Sequence, residues 1–139
     1  MTRLLSLVTA AVLLASCNPC NALCVGQLKF VLSEAEATDF TAMPSSARVC
    51  VDGTCFERSS ELLINGGSLA DSWDAPTRTL SVRNDLQPKA ATGKVTFTLE
   101  RDGTQVFRHA WENVEFREYS PNGDACGPVC FAAGPLSSP

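Results

Sequence analysis

The chain has 139 residues but only one histidine, His109, which excludes a histidine-rich metal site. It has no apolar run of the roughly 20 residues that a membrane-spanning helix needs. It also lacks an excess of positive charge. Eleven Lys and Arg face 15 Asp and Glu, for a net charge of −4. That balance argues against nucleic acid and against a basic patch that docks on membranes. The acidic residues are scattered, as on a solvated surface, and no cofactor is implied. No amphipathic helix of useful length and no internal repeat is apparent. Strands are therefore expected to carry the fold.

What the chain does have begins at its start. Arg3 is the only charged residue before Cys17, and Leu4 to Ala15 is uncharged and mostly Leu, Val and Ala. A short basic region followed by such a segment is a secretory signal, too short to span a bilayer. The segment ends Leu14-Ala15-Ser16-Cys17, which resembles a bacterial lipobox. The resemblance implies cleavage between Ser16 and Cys17, a diacylglyceryl thioether on Cys17 and a further acyl chain on the new amine. Small residues suit a peptidase cleft, and two or three acyl chains anchor stably where one does not. The competing reading is an ordinary secretory signal with a chance cysteine at the boundary. The chain would then divide into a signal peptide (1–16), a lipid anchor and tether (17–24), a β-sandwich (25–133) and a loose tail (134–139). By the same resemblance, Asn18 is not the aspartate that retains lipoproteins at a Gram-negative inner membrane. The expected location is the cell envelope, on the extracytoplasmic face of an inner or outer membrane.

Seven cysteines are present: Cys17, Cys20, Cys24, Cys50, Cys55, Cys126 and Cys130. An odd count in an exported chain needs an explanation. Lipidation of Cys17 supplies one and leaves six for disulfides, which an oxidising compartment favours. Cys50-Val51-Asp52-Gly53-Thr54-Cys55 carries Asp-Gly between strand-like flanks, the signal for a two-residue type I′ hairpin. Cys50 then faces Cys55 at a non-hydrogen-bonded position, with Cα atoms about 4.5 Å apart, within reach of a disulfide. The other four form Cys-x3-Cys pairs near the two ends. Bridges between the ends restrict the unfolded chain most and are favoured; of these, Cys20 with Cys126 and Cys24 with Cys130 is the pairing preferred, though loop length does not select it over the crossed one. Two local loops and a four-cysteine zinc site are the alternatives, zinc being disfavoured outside the cytoplasm. With Cys20 bridged, three residues of tether reach about 10 Å and seat the domain against the membrane.

The strands follow from alternation. Residues 25–32 make a first strand with Leu28, Phe30 and Leu32 inward. Residues 33–45 are a connection, in which Ser33 to Ala37 could form one helical turn. Residues 47–51 and 54–58 form the hairpin, Glu61 to Asn65 a short apolar strand, and Gly66 to Thr77 a loop. Arg78 to Arg83 turns Leu80 and Val82 to one face. Gly93 to Glu100, with Val95, Phe97 and Leu99 alternating, is the clearest strand. Arg101-Asp102-Gly103 reads as a three-residue turn. The return strand runs to Trp111, breaks at Glu112-Asn113 and resumes from Val114 to Tyr119. About seven short strands predict a single antiparallel β-sandwich, immunoglobulin-like or transthyretin-like, stapled by disulfides. The hairpin Val49-Cys50-Val51-Asp52-Gly53-Thr54-Cys55 and the later Tyr119-Ser120-Pro121-Asn122-Gly123 followed by Cys126 resemble small cysteine-bearing β-sandwich lipoproteins of actinobacteria. That family has no established activity.

Catalytic signals are sparse. Gly66-Gly67-Ser68-Leu69-Ala70 nearly fits a nucleophile elbow, and Asp71 or Asp85 with His109 follows in triad order. The elbow needs a parallel sheet with helices, which this short, helix-poor chain does not suggest, so a Gly-Gly turn is favoured. Alternation puts Phe107, His109 and Trp111 on one face, where cross-strand packing or plain exposure is the expected role of the imidazole. Glu34 with Glu36, or Asp71 with Asp74, lacks the ligand spacing of a calcium loop. Trp73, between Ser72 and Asp74, is either a binding anchor or a plug for the sandwich end. The expectation is a non-enzymatic, membrane-anchored envelope binding or assembly module with an envelope protein as partner. A small envelope serine hydrolase using Ser68 and His109 is the alternative, and a mostly structural envelope component a third reading.

Overall fold

A computed structural model describes residues 26–42, 44–66, 68, 70–84, 88–121, 123 and 129–139. The elements in chain order are β1 (Gly26–Val31), α1 (Glu34–Thr41), β2 (Ser46–Val51), β3 (Thr54–Ser59), α2 (Ser60–Asn65), β4 (Ser72–Asp74), β5 (Thr79–Asn84), β6 (Thr92–Arg101), β7 (Thr104–Glu115), β8 (Arg117–Tyr119) and β9 (Cys130–Ser137). They form two sheets, ordered β4-β5-β1-β9-β8 and β3-β2-β6-β7. The fold is the expected all-β sandwich. Among the described residues, all strand pairs but one are antiparallel; β9 runs parallel to β1.

The apolar side of each alternating strand faces between the sheets. Leu28 and Phe30 on β1 and Leu80 and Val82 on β5 meet Val49 on β2 and Val95, Phe97 and Leu99 on β6, all fully buried. The Phe30 ring lies 5.0 Å from Phe97 and 5.6 Å from Trp111, so aromatic contacts join the two layers. The Asp-Gly hairpin forms as its residues dictate. Asp52 and Gly53 take positive φ (49° and 86°), and Val51 pairs with Thr54 and Cys50 with Cys55.

Helices close one end of the sandwich. Ser33 and Glu36 form a reciprocal capping box, and α1 runs two turns rather than the single turn expected. It is pinned at its far end by Phe40, fully buried against Trp73, and by an Arg101 Nη2 hydrogen bond to the Asp39 carbonyl at 2.6 Å. Residues 61–65, expected as a strand, belong to helix α2 instead. Ser59 caps it by accepting from the Leu62 N–H at 3.2 Å, and Leu63 is buried while Leu62 is 48% exposed. Six residues with three consecutive apolar side chains have too little periodicity to separate the two conformations.

Four further differences are local. The 66–77 segment contains the short strand β4. The Arg101–Gly103 turn has two central residues, since Arg101 pairs with Thr104 and Asp102 and Gly103 take positive φ (51° and 74°). The expected break at Glu112-Asn113 is a bulge, with Asn113 at φ 55° and the register shifting between Gly93 and Val95. The chain leaves one sheet at Phe116 and enters the other as β8. Finally, residues 134–139, expected as a loose tail, mostly belong to β9, whose parallel pairing reaches Val31–Ser137. Gly134 makes this possible. Its φ is 103°, and a Cβ there would lie 2.4 Å from the Lys29 carbonyl oxygen.

The helical assignment of residues 60–65 has a direct consequence. Leu63→Ala should destabilise the protein by about 2–4 kcal/mol, and Leu62→Ala by no more than about 0.5 kcal/mol, measured by urea unfolding.

Candidate functional site

Of the cysteines singled out by sequence, Cys17, Cys20, Cys24 and Cys126 lie outside the described residues. Cys130 opens β9, is fully buried and is disulfide-bonded. Cys50 and Cys55 are bonded to each other with Cα atoms 4.0 Å apart, at the paired position the hairpin predicts. The parallel β1–β9 register, Gln27 beside Ala132, brings the starts of both strands to one end of the sandwich. The Asp52-Gly53 turn and the beginning of β6 share that end, because the Asp52 carboxylate accepts from the Lys94 N–H at 2.9 Å and lies beside Gly93 and Phe116. The opposite end carries α1, α2 and Trp73.

Trp73 sits on β4 opposite Leu80, half-buried, with its ring 5.0 Å from Phe40. It therefore plugs the helical end. Its remaining surface lines a shallow groove of about 430 Å³ together with Glu34 and Thr38 of α1 and Arg78 of the β4–β5 turn. Arg78 is held in a left-handed conformation (φ 51°) and donates from Nε to the Leu32 carbonyl at 3.0 Å. Asp71 is engaged elsewhere, accepting from the Arg83 N–H at 2.8 Å and lying 3.8 Å from Arg58. Asp74 accepts from the Thr77 hydroxyl.

The structure does not bring Ser68 and His109 together. Ser68 follows α2 on the β3–β4 side, and its hydroxyl accepts from the Ala70 N–H at 3.1 Å. His109 is on β7, the opposite edge of its sheet. Its ring lies between Phe107 and Trp111, on the one face where alternation places all three. Nε2 is paired with the Glu36 carboxylate of α1. No match was found to any family model, curated protein or solved structure. The chemistry of the site must therefore be read from its own geometry.

Sequence reading weighed Glu36 only as a calcium ligand beside Glu34 and missed the cluster it forms. Its carboxylate accepts from the Ser33 N–H at 2.8 Å, from the Ser138 hydroxyl beyond β9, and meets His109 on β7. One side chain thus ties the capping helix to two strands from different sheets. Burial by itself would raise its pKa. The hydrogen bonds from Ser138, the Ser33 backbone, His109 and the Ser33 side chain outweigh burial and lower it from 4.5 to about 2. His109 and Ser138 lie 73 and 102 residues from Glu36, so no local spacing could reveal the cluster. The Ser-x-x-Glu capping pattern at Ser33 was the one local sign. Among the described residues, no group of three or more His, Cys, Asp or Glu side chains is placed to hold a metal ion.

A carboxylate with a lowered folded-state pKa stabilises the protein above its unfolded value and loses that contribution as pH falls through the folded value. For Glu36 the window runs from pH 4.5 down to about 2, and the loss should be no more than about 3 kcal/mol. In Glu36→Gln, unfolding free energies measured across that window should flatten by the same amount. An unchanged slope would contradict the role given to Glu36.

Proposed function

We propose that the protein is a membrane-anchored bacterial lipoprotein whose β-sandwich serves as a non-enzymatic envelope binding or assembly module. The lipobox-like Leu14-Ala15-Ser16-Cys17 and the odd cysteine count support the anchor. The observation that carries the reading is the polarity of the domain. β1 begins at Gly26, and the nine residues from Cys17 to that point extend at most about 30 Å. The disulfide-bonded Cys130 starts β9 beside it. An acylated Cys17 would therefore hold this end at the membrane. The helical end, with Trp73 and its groove, would face outward. β6 alone, at about 3.4 Å per residue, separates the two ends by roughly 34 Å. Loops and helix surfaces at the free end of a rigid sandwich are where recognition is commonly built, so an envelope protein is the partner this orientation suits.

Intact mass of the protein extracted from native membranes tests the anchor. Cys17 should be the first residue and carry acyl mass, and reduction should add about 6 Da, two for each of three disulfides. Cys17→Ser should move the protein from the membrane to the soluble fraction. A different first residue, or a cysteine without acyl mass, would refute the proposal. For the orientation, a photo-crosslinker at Thr38 should give a reproducible protein adduct in intact envelopes and one at Lys94 should not.

A further inference from the structure

The two described disulfide sites differ in a way that the anchoring proposal does not use. Cys130 is fully buried. Cys55 is exposed and Cys50 half-buried on the outer face of the β3-β2-β6-β7 sheet. We propose that the Cys50–Cys55 bridge is an exchangeable surface disulfide, opened by an incoming thiolate that attacks the Cys55 sulfur.

The hairpin does not depend on the bridge for its shape. The Asp52-Gly53 turn already sets its register. On its other side β2 pairs with β6 along its whole length, from Ser46 opposite Glu100 to Val51 opposite Val95. The turn is tied to β6 as well. The Asp52 N–H donates to the Lys94 carbonyl and the Lys94 N–H donates to the Asp52 carboxylate, both at 2.9 Å. A bridge over so short a loop restricts the unfolded chain little. A bond that contributes little to folding and lies at the surface has the properties of an exchangeable disulfide rather than a structural one.

The sheet order selects the sulfur. Thiol–disulfide exchange proceeds in line, so the attacking thiolate approaches one sulfur from the side opposite the other. Attack on Cys50 would have to come across β6, where Thr96 stands directly opposite and is only 8% exposed. Attack on Cys55 comes from beyond β3, the open edge of the sheet. In that step the thiolate sulfur bonds to Cys55 Sγ while the Cys50–Cys55 bond breaks, and Cys50 leaves as a thiolate that takes a proton from water. A second thiolate then attacks the external sulfur of the mixed disulfide and releases Cys55 as a thiolate. The balance is one protein disulfide and two thiols giving one protein dithiol and one external disulfide. The reductant class is therefore a thiol, either a small molecule or an exposed cysteine of another protein.

The test treats the native protein with graded reduced glutathione, quenches with acid, alkylates and maps the peptides. Cys50 and Cys55 should become labelled while the circular dichroism spectrum and thermal transition remain native, with Cys130 labelled at least about tenfold more slowly. At limiting glutathione the mixed disulfide should map to Cys55. Treated instead with oxidised glutathione, whose second half leaves as the thiol, the Cys50→Ser variant should form a glutathione adduct on Cys55 about tenfold faster than Cys55→Ser forms one on Cys50. Cys50→Ala with Cys55→Ala should fold to the native spectrum. Opening of Cys50–Cys55 only together with unfolding or with Cys130, adducts mapping equally to both sulfurs, or failure of the double variant to fold would each overturn the proposal. None of these readouts depends on acylation of Cys17, so a failed anchor and a failed exchange are distinguishable.

Discussion

Leu28 and Phe30 on β1 pair with Ala133 and Leu136 on β9, so the last strand runs alongside the first in the same direction. Much of the architecture depends on this contact. It places β1 in the middle of its sheet, between β5 and β9, where both of its neighbours shield the fully buried Leu28 and Phe30. It carries Ser137 to the flank of β7, where the Trp111 indole N–H donates to its carbonyl at 2.9 Å. One residue further, Ser138 reaches Glu36. The two sheets are thereby joined along one side by polar contacts as well as across the middle by Phe30, Phe97 and Trp111. A parallel pair cannot be made by a hairpin. The whole of the remaining chain is therefore the connection, and the contact forms only when both ends are in place.

Glu36 shows how a half-buried charge can organise such a fold. Desolvation is the largest single influence on its carboxyl and opposes ionisation. The carboxylate stays ionised because its acceptor sites are met by donors from the Ser33 cap and from Ser138, with His109 as a third partner. Each partner comes from a different part of the chain, so the group is satisfied only in the assembled sandwich. Removing one partner leaves a desolvated charge short of a donor, which costs more than the lost hydrogen bond alone. The cluster therefore fixes where the capping helix sits more strictly than the apolar contact of Phe40 with Trp73 could. Hydrophobic burial tolerates small displacements and hydrogen-bond geometry does not. The same engagement leaves His109 occupied within the packing instead of poised over a cleft.

How much could be read in advance depended on whether the signal was local. Val95, Phe97 and Leu99 alternate with polar residues, and β6 formed where alternation placed it. Asp52-Gly53 specified its turn, and the turn specified the cysteine pairing. Residues 60–65 misled because Leu62, Leu63 and Ile64 are consecutive, a pattern shared by a buried strand and a short helix. β9 was hidden by Gly134-Pro135, which locally reads as a breaker. Its glycine is required by the close approach to Lys29 and its proline is tolerated at an irregularity in the pairing. β4 is three residues long and is defined by its neighbour β5 rather than by itself. Trp73 was singled out for its setting in a polar loop, and the structure shows it serving as a plug while leaving part of its surface at a groove. The Glu36 cluster spans the chain and has no sequence period.

The cysteines finally divide by the work their position allows. A covalent link stabilises in proportion to the freedom it removes from the unfolded chain, about 3 kcal/mol for a 15-residue loop and nearer 5 for 100 residues. Cys50–Cys55 closes a turn that Asp52-Gly53 already favours, so its entropic value is at the low end. Cys130 is placed differently. It opens a fully buried strand position at the end where β1 also begins, and the Phe131 carbonyl lies close against Gly26. A bridge from Cys130 to an N-terminal cysteine would close nearly the whole domain into a loop and reinforce the β1–β9 pairing, the contact with the greatest separation in sequence. A bridge to Cys126 would close only a local turn and reinforce nothing beyond β9. The same parallel contact that orders the core thus sets Cys130 at the end of the sandwich where β1 begins.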